Sequence, residues 1–338
     1  MEEKTVKKRI LTGDRASGNL HLGHYVGSIV NRLKLQEMYD CYYMVADLHA
    51  LTTHYESPEE VRESAKSIFV DYLSVGLDPY KSTLFIQSCV PEHSELYLLF
   101  QMLVTISRAE RIPTLKDKLE DLHIEEGLAS LGLLGYPVLQ AADILLYRAD
   151  LVPVGEDQVS HIELTREIAR RFNYLYGQTF PEPEAMLSEV SRLPGINGNK
   201  KMSKSLGNDI SLSASKEEVR EKVKAMVTDP EKIRKDDPGH PDVCTVFAFH
   251  KAFNKENAPY IETACKNGRL GCVADKEDLA AILNELLDPI RERRAQILGN
   301  PKNLRELLDM GNQKARSVAS RTMEEVREKM RIGNPRFG

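Results

Sequence analysis

The chain has 338 residues, enough to bury a sizeable core, and this length favours two domains or one large domain with additions. Charged residues make up 29% of the chain and the net charge is −5, which argues against coating nucleic acid through bulk charge, so DNA is not an expected partner and an RNA contact needs a local basic patch. The N-terminal stretch MEEKTVKKRI lacks the apolar run of a signal peptide and no segment reaches membrane-span length, so we expect a cytoplasmic protein without a membrane contact.

The first predicted elements are a buried strand, a glycine-rich turn and the start of a helix, all within LTGDRASGNLHLGHY from Leu11 to Tyr25. The strand covers Arg9 to Thr12, and three small residues are expected to end it: Gly13, Ser17 and Gly18. Helical spacing of apolar residues then runs from Leu22 to Met38. A helix N-terminus reached from a glycine-rich turn leaves backbone N–H groups facing outward, which is a common way to hold phosphate.

Two histidines, His21 and His24, lie at this helix start. They are three residues apart, so both imidazoles can face one bound group while Gly23 lets that group approach the backbone. Two histidines on an ordinary turn are the alternative that spacing alone leaves open. A metal site is not predicted, because no third ligand lies nearby and the His-Glu pattern of zinc enzymes is missing.

Strands and helices continue to alternate up to residue 92. The apolar run CYYMVA, Cys41 to Ala46, predicts a second strand, and Thr83 to Gln87 predicts a third. Between them, Ser57 to Glu60 has the pattern of a capping box, with proline at the first position of a helix that stops at Gly76. The alternation predicts an α/β fold with a doubly wound parallel sheet that binds ligands at the carboxyl ends of its strands. No GxGxxG follows the first strand, so a dinucleotide cofactor is not expected.

The alternation is interrupted at residues 93–132, which we predict to be a helical insertion in a Rossmann-like catalytic domain made of residues 1–92 and 133–208. The sequence alone leaves open whether the apolar side of this insertion packs on its own sheet or on a second subunit. The sheet pattern resumes after the insertion with three further elements: the segment Tyr136 to Tyr147, a strand from Leu151 to Val154 and a helix that runs through Phe172.

A glycine- and asparagine-rich loop, RLPGINGNKKMSKSLGN from Arg192 to Asn208, is expected to be mobile. Its lysines, taken alone, also fit an ordinary solvated linker: Lys200, Lys201 and Lys204. The helical spacing of residues 209–338 predicts an all-helical C-terminal domain, whose first helix begins with a capping box at Ser215 and Glu218. Its helices are predicted over three ranges: Val219 to Val227, Leu279 to Leu298 and Leu304 to Met330.

The last part of the chain is basic although the whole chain is acidic. Basic residues outnumber acidic ones there about two to one: Arg291, Arg293, Arg294, Lys302, Arg305, Lys314, Arg316, Arg321, Arg327, Lys329, Arg331 and Arg336. A basic face on a helical domain favours a polyanionic partner, and a solvated helix surface is the alternative.

HLGH after the first strand, together with KMSKS from Lys201 to Ser205 after the last, is more specific than either motif alone. With these motifs, the chain resembles the class I aminoacyl-tRNA synthetases. Residues 136–173, YPVLQAADILLYRADLVPVGEDQVSHIELTREIARRFN, are similar to the tryptophan-specific members of that family. The resemblance covers nearly the whole chain, from Leu11 to the C-terminal helices.

This resemblance implies a chemistry and a set of partners. It implies ATP with Mg²⁺, activation of L-tryptophan as an adenylate with release of pyrophosphate, and transfer of tryptophan to the terminal adenosine of tRNA(Trp). It also implies a Rossmann-like sheet domain of the HUP type, anticodon binding by residues 209–338 and a homodimer that uses residues 93–132.

The resemblance further implies roles for individual residues. Because the attacking substrate carboxylate is already an anion, the reaction needs no general base, and catalysis depends on positioning and charge stabilisation. The implied catalytic groups hold the phosphates or neutralise the leaving pyrophosphate: His21, His24, Lys201 and Lys204. ATP contacts are implied at Thr12, Gly13, Arg15, Gly23, His24, Gly155, Asp157, Met202, Ser203 and Ser205. Tryptophan contacts are implied at His49, Tyr136, Gln140, Asp143, Val152, Val154 and Gln158.

Substrate choice is most visible at Asp143. This residue shares the apolar face of its predicted helix with Leu139 and Ala142, where an unpaired carboxylate is costly and demands a partner. An indole offers one N–H donor and no acceptor, so a buried carboxylate suits it. A structural pair of Asp143 with Tyr147 or Arg148 is the alternative.

Five cysteines fit reduced thiols rather than a disulfide framework. Three of them, Cys244, Cys265 and Cys272, resemble ligands of an iron–sulphur cluster found in some relatives. The expected fourth position is Asp275, so one thiolate is missing and a cluster is not favoured.

Three other functions compete with this interpretation. A tyrosyl-tRNA synthetase shares the fold and the chemistry. A nucleotidyltransferase can use the same histidine pair, but it has no need of a lysine loop or a long helical C-terminal half. A non-catalytic RNA-binding relative is the third alternative, and the intact histidine and lysine motifs argue against it.

Overall fold

The computed structural model describes residues 7–122, 124, 128–187, 193–198, 202–203 and 206–333. At its centre is a parallel sheet whose strands are β1 (Arg9–Arg15), β2 (Asp40–Ala46), β3 (Thr83–Ile86), β4 (Leu151–Val154) and β5 (Glu184–Leu187). The strand order is β3-β2-β1-β4-β5, and every neighbouring pair is parallel. The order reverses between β1 and β4, so ligand-binding loops meet at the carboxyl ends of these two strands. The predicted doubly wound α/β class is confirmed.

Helices flank the sheet and form most of the C-terminal half. Before β4 the α-helices are α1 (Leu22–His24), α2 (Val30–Met38), α3 (Asp47–His54), α4 (Pro58–Val75), α5 (Glu92–Gln101), α6 (Ile106–Glu110), α7 (Pro113–Asp121) and α8 (Leu131–Leu146). After β4 they are α9 (Val159–Tyr176), α10 (Lys216–Lys224), α11 (Thr245–Phe253), α12 (Ala258–Lys266), α13 (Cys272–Leu298) and α14 (Pro301–Met330). A π-helical turn, Tyr25–Ile29, joins α1 to α2. Among the described helices, none combines the length and the apolarity that crossing a bilayer requires.

The sheet is covered on both faces, which explains why β2 is an unbroken apolar run. Side chains alternate between the two faces of a strand, so one run can supply two cores. The alternate side chains of β2 do so: Cys41, Tyr43 and Val45 pack into one core, and Tyr42, Met44 and Ala46 pack into the other.

The two long C-terminal helices belong to these same cores. Helix α13 supplies Leu283 to the core around Tyr43, and α14 supplies Met323 to the core around Tyr42. The C-terminal helices therefore lie on both sides of the sheet and share its buried surface.

Helix α14 also covers the free edge of β3. The side-chain oxygen of Asn312 accepts a hydrogen bond from the backbone N–H of Ile86 at 3.1 Å, which satisfies a donor that an edge strand otherwise leaves open. One residue earlier, Gly311 lies so close to Leu84 that a β-carbon would overlap the Leu84 carbonyl oxygen. Glycine is needed here for close approach of two backbones.

The C-terminal helices differ from their predicted bounds: α10 ends at Lys224 instead of Val227, and α13 and α14 begin earlier than predicted. Three further differences concern β1, β5 and a helix cap. Strand β1 continues through Thr12 and Gly13 instead of ending there, because Gly13 pairs with Met44 in a contact too close for a β-carbon. Strand β5 is an addition, since its four residues are only partly buried and carry no clear alternation. Ser57 makes no side-chain cap, whereas the Ser215 hydroxyl accepts a hydrogen bond from a backbone N–H of α10 as predicted.

Candidate active site

The two motif histidines form a reciprocal cap at the start of α1. The Nδ1 atom of His21 accepts a hydrogen bond from the backbone N–H of Gly23 at 3.1 Å, and the Nδ1 atom of His24 accepts one from the backbone N–H of His21 at 3.2 Å. The ring centroids are 3.8 Å apart. The structure therefore brings both imidazoles together, and it uses backbone donors that the sequence analysis assigned to phosphate.

Both imidazoles are neutral, with the proton on Nε2. A neutral imidazole carries a single N–H, and because Nδ1 is the acceptor in each ring, Nε2 is the donor. Burial lowers the pKa of His21 to about 3 and also lowers the pKa of His24. At neutral pH each ring therefore offers one uncharged Nε2–H donor, which suits a phosphate oxygen.

A buried ion pair next to His24 escaped the sequence analysis. Asp14, near the end of β1, accepts hydrogen bonds from Arg32 of α2 at 2.5 Å and 3.2 Å, and from the Tyr72 hydroxyl of α4 at 2.8 Å. Burial alone would raise the pKa of Asp14, but the charge of Arg32 and these hydrogen bonds lower it. The group fixes β1, α2 and α4 to one another.

The lysine loop is anchored beside the histidine motif. Just after the loop, the backbone N–H of Leu22 donates to the Ile210 carbonyl at 2.9 Å. The backbone N–H of Leu212 donates in turn to the Leu20 carbonyl at 3.0 Å. The sulphur of Met202 lies 3.5 Å from the position that a β-carbon on Gly23 would take. The two distant motifs therefore meet at one place in the described part of the chain.

Other described residues of this loop hold one another. The backbone N–H of Ser203 donates to the Asn208 side-chain oxygen at 2.7 Å, and the Asn208 amide donates to Asn197 at 2.9 Å. Lys200, Lys201, Lys204 and Ser205 lie outside the described residues, so the roles assigned to Lys201, Lys204 and Ser205 remain predictions.

Asp143 lies at the centre of a buried hydrogen-bond cluster. Its Oδ2 atom accepts from His49 Nε2 at 2.8 Å, and its Oδ1 atom accepts from Gln87 Nε2 at 2.8 Å and from His93 Nδ1 at 2.6 Å. Burial opposes the charged form, but the hydrogen bonds from His49 and His93 outweigh it and lower the pKa of Asp143. The carboxylate is therefore ionised although it is buried.

This cluster differs from both partners considered for Asp143 in the sequence analysis. Tyr147 reaches the carboxylate only through His93, whose Nε2 lies 2.9 Å from the Tyr147 hydroxyl. Arg148 makes its ion pair with Glu325 instead. His93 was not predicted as a site residue, because it belongs to residues 93–132, which were predicted to form the insertion.

The Tyr136 hydroxyl is hydrogen-bonded by a residue of α7, a helix of the insertion. The Thr114 hydroxyl lies 3.0 Å from the Tyr136 hydroxyl and also bonds Nε2 of buried His161. The ammonium group of Lys118 lies 4.3 Å from the centre of the Tyr136 ring. Burial lowers the pKa of His161 to about 4, so this histidine is neutral. The edge of the Tyr136 ring also faces His49, with ring centroids 6.5 Å apart.

The remaining predicted site residues lie on α8, on β4 and directly after β4. Tyr136, Gln140 and Asp143 share one face of α8 because they are four and three residues apart. Val152 and Val154 lie in β4, and three further predicted residues follow at its carboxyl end: Gly155, Asp157 and Gln158. The Gln158 amide donates to the Asp157 carboxylate at 3.2 Å.

Arg15 contacts α3 instead of standing free at the end of β1. Its guanidinium donates to the backbone carbonyls of His49 at 3.1 Å and Ala50 at 3.2 Å, and it bonds the Thr53 hydroxyl. Burial lowers its pKa. Arg15 therefore connects β1 to the helix that carries His49, and its ATP contact remains a prediction.

The three cysteines that resemble cluster ligands lie close enough to one another and to Asp275 for their charges to interact, and the absence of a cluster remains a prediction. Cys244, Cys265 and Cys272 are half-buried, and the carboxylate of Asp275 lies 3.1 Å from Nε2 of buried His250. Burial, together with the charges of Cys272 and Asp275, raises the pKa of the Cys244 and Cys265 thiols. Among the residues that the structure describes, no group of three or more His, Cys, Asp or Glu side chains is arranged to hold a metal ion.

Part of the basic C-terminal face is engaged in internal ion pairs. Arg316 and Arg327 of α14 bind Glu92 at 3.3 Å and Glu95 at 2.5 Å, both on α5. Other basic residues of α14 and its end are exposed and make no ion pair within the described part of the chain: Arg305, Lys314 and Arg331. The free basic surface is therefore smaller than the sequence suggests.

Comparison with known proteins gives relatives over nearly the whole length. The family model for tRNA synthetases class I (W and Y) matches residues 3–288. The tryptophan–tRNA ligase of Thermotoga maritima is 49% identical over 327 residues, covering 96% of this chain and 99% of that protein. The tryptophan–tRNA ligase of Aquifex aeolicus is 44% identical and covers 96% of this chain and 100% of its own.

Solved structures agree with these relatives. The tryptophanyl-tRNA synthetase of Campylobacter jejuni complexed with ADP and tryptophan is 34% identical, covers 96% of this chain and 100% of its own, and has a TM-score of 0.86. A tyrosyl-tRNA synthetase of Archaeoglobus fulgidus complexed with L-tyrosine is 23% identical, covers 85% of this chain and 90% of its own with a TM-score of 0.66, and shares the fold alone.

The family model covers most of the chain, and relatives of matching length are nearly half identical to it. Of the two motifs that carried the resemblance in the sequence, the histidine motif and the described residue Met202 of the second motif lie next to each other. The resemblance is therefore confirmed. The chain belongs to the class I tRNA synthetases of the tryptophan and tyrosine group.

Proposed function

We propose that this chain is a tryptophan–tRNA ligase, which activates L-tryptophan with ATP and transfers it to tRNA(Trp). The observation that carries the proposal is Asp143, whose side chain is 1% exposed and whose three described donors leave one acceptor position on Oδ2. An indole has one N–H donor and no acceptor, so it suits this position. The relatives from Thermotoga maritima and Aquifex aeolicus carry the same activity in their names, which supports the proposal.

The first step joins tryptophan to the nucleotide. A carboxylate oxygen of tryptophan forms a bond to the α-phosphorus of ATP, the bond from that phosphorus to the bridging oxygen breaks, and pyrophosphate leaves with the electron pair. His21 and His24 hold phosphate oxygens through their neutral Nε2–H donors. Lys201 and Lys204 neutralise the leaving group. When bound with ATP, Mg²⁺ supplies further charge neutralisation on the phosphates.

The second step transfers tryptophan to tRNA. A hydroxyl oxygen of the terminal adenosine forms an ester bond to the tryptophan carbonyl carbon. The bond from that carbon to the phosphate oxygen breaks, and AMP leaves with the electron pair while the hydroxyl proton passes to the AMP phosphate. Residues 209–338 hold the anticodon region, and the exposed basic residues of the last helix supply charge for the phosphate backbone: Arg305, Lys314 and Arg331. The reaction belongs in the cytoplasm, where charged tRNA is consumed by translation.

The chain acts as a homodimer. The insertion at residues 93–132 carries large apolar side chains that are mostly exposed: Leu98, Met102, Ile106, Leu128 and Leu131. Burial against a second copy removes this apolar surface from water, which is the main favourable term in protein association. The insertion also holds Tyr136 through Thr114, so a contact here lies close to the substrate pocket.

The test is ATP–pyrophosphate exchange with tryptophan and tyrosine side by side, followed by charging of total tRNA. We expect exchange with tryptophan alone and charging of tRNA(Trp). Exchange driven by tyrosine would favour a tyrosyl-tRNA synthetase, and adenylate formation without charging would favour a nucleotidyltransferase. Loss of adenylate formation altogether would favour a non-catalytic RNA-binding protein.

The Asp143→Asn variant tests the observation that carries the proposal. The amide keeps the size of the side chain but loses the charge that accepts the indole N–H. We expect kcat/KM for tryptophan to fall about a hundredfold, while KM for ATP changes little. Equal losses for both substrates would contradict the role of Asp143.

A further inference from the structure

His93 is a buried residue to which the steps above assign no task. It lies on the first turn of α5, has no exposed surface, and uses both ring nitrogens. Its Nδ1 atom lies 2.6 Å from Oδ1 of Asp143, and its Nε2 atom lies 2.9 Å from the Tyr147 hydroxyl. The three side chains therefore form one hydrogen-bonded series, from Tyr147 through His93 to Asp143.

The direction of each hydrogen bond follows from the protons available. Ionised Asp143 can only accept, so a neutral His93 keeps its proton on Nδ1, and the Tyr147 hydroxyl, whose pKa burial raises well above its usual range, donates to Nε2 of His93. His93 donates its Nδ1 proton to Asp143. The other tautomer would set a lone pair of Nδ1 against the carboxylate, which is repulsive in a buried site.

The other donors fill one oxygen of Asp143 and leave the second partly open. Gln87 donates to Oδ1 at 2.8 Å, and its orientation is fixed because its own oxygen accepts the backbone N–H of His49 at 3.4 Å. Oδ2 accepts a single described hydrogen bond, from His49 Nε2 at 2.8 Å. A carboxylate oxygen accepts about two hydrogen bonds, so the acceptor position left among the described residues belongs to Oδ2.

We propose that His93, with Tyr147 behind it, is a positioning residue that determines substrate specificity by fixing Asp143 so that Oδ2 is the atom presented to the substrate ring. This inference rests on the proposed function, in which that ring is an indole. His93 does not touch the substrate and acts through Asp143. An aromatic side chain of the same shape without an N–H leaves Oδ2 buried without its partner, so the site rejects it.

The test compares L-tryptophan with its benzothiophene analogue, in which sulphur replaces the ring N–H. The measured quantity is the ratio of kcat/KM for the two compounds in ATP–pyrophosphate exchange. For the unchanged chain we expect a ratio of about a hundred or more. For His93→Leu we expect the ratio to fall about tenfold, because the carboxylate is no longer fixed, while KM for ATP stays the same.

Three matched variants separate positioning from packing. His93→Asn keeps an N–H donor near the Nδ1 position, and we expect it to restore most of the ratio. Phe85→Leu changes the packing against the His93 ring, whose centroid lies 6.0 Å from that of Phe85, and leaves the hydrogen bonds in place, so the ratio stays unchanged. Tyr147→Phe removes the hydroxyl that fixes the tautomer of His93, and we expect a ratio between those of the unchanged chain and His93→Leu.

The possible results distinguish this inference from the proposed function. If the unchanged chain does not prefer tryptophan over the analogue, the role of Asp143 in the proposed function is wrong. If it does and His93→Leu keeps the preference, or His93→Asn loses it as fully as His93→Leu, the inference is wrong. If His93→Leu does not fold, Tyr147→Phe decides, and an unchanged ratio contradicts the inference.

The chain contains no tryptophan, so the fluorescence of bound tryptophan reports binding in each variant.

Discussion

The cap formed by His21 and His24 sets the protonation of these residues as well as their orientation. Each Nδ1 atom is occupied by a backbone N–H, and a proton on Nδ1 would break that hydrogen bond. Burial acts in the same direction, because it disfavours the charged imidazolium. In the proposed function the site therefore holds phosphate with neutral donors, and the positive charge comes from Lys201 and Lys204.

The lowered pKa of His21 predicts a pH dependence of stability. The pKa is about 3 in the folded chain and takes the ordinary value of 6.5 when unfolded. Between these values the unfolded chain binds more protons, so the free energy of unfolding decreases as the pH falls from 6.5 towards 3. The loss from this residue is up to about 1.4 kcal/mol per pH unit. We expect urea unfolding to show a smaller loss in His21→Asn than in the unchanged chain; identical pH profiles would contradict the assigned pKa.

Among the helices, α7 connects the insertion to the substrate pocket through Thr114. Thr114→Val removes the hydroxyl that bonds Tyr136 and His161, and leaves both without this partner. We expect KM for tryptophan to rise about tenfold in pyrophosphate exchange, with little change in KM for ATP. Thr114→Ser is the matched control because it keeps the hydroxyl. Equal effects of the two substitutions would show that the hydroxyl does not hold Tyr136.

Helix α14 depends on a glycine for its contact with β3. In Gly311→Ala the new β-carbon would overlap the Leu84 carbonyl, so helix and strand must separate. We expect the free energy of unfolding to fall by about 1–3 kcal/mol in urea unfolding. Gly132→Ala is the control, because the nearest atom to its β-carbon is at 3.8 Å, and we expect no loss there. A Gly311→Ala variant as stable as the control would contradict this close contact.

Local sequence patterns predicted those elements whose bounds are set by interactions between residues close in sequence. Strand β4 matches its predicted bounds, and β2 and the helix before Gly76 match to within a residue, since burial and capping act over a few neighbours. Gly13 was predicted to end β1 because glycine often forms turns. The reason that glycine is needed here is instead its close contact with Met44 on the neighbouring strand, which no local pattern shows. The missed strand β5 is short and half-exposed, so it carries no periodic signal.

The site was predicted as far as motifs reach. The histidine motif and Asp143 were found from spacing and from the cost of a buried charge. His93 and Gln87 were not, because they lie 50 and 56 residues from Asp143 and neither belongs to a local motif. The ion pair of Asp14 and Arg32 was missed for a similar reason, since it joins strand β1 to helix α2.

The molecule as a whole is joined by contacts between distant parts of the chain. Asn312 bonds Ile86 across 226 residues, and Arg294 bonds Ser67 across 227. Both C-terminal helices contribute to cores of the sheet. No local pattern can show this packing, because it depends on which faces of distant helices meet.

The proposed dimer predicts a change in mass when the insertion surface becomes charged. Ile106 is 62% exposed, and Ile106→Lys places a charge in the proposed contact. We expect the unchanged chain to sediment as two copies and the variant to shift towards one. Ile233→Lys is the control, because Ile233 is 86% exposed but lies outside the insertion, and we expect it to stay dimeric. A single-copy mass for the unchanged chain would contradict the dimer.

The central claim is that one end of the sheet holds the phosphates at the histidine cap while Asp143 accepts the indole N–H. The most direct measurement is a crystal structure of the chain with tryptophan and an ATP analogue that cannot react. We predict phosphate oxygens within hydrogen-bond distance of Nε2 of His21 and His24, and the indole nitrogen within hydrogen-bond distance of Oδ2 of Asp143. An indole nitrogen turned away from Asp143, or phosphates bound away from the two histidines, would contradict the account.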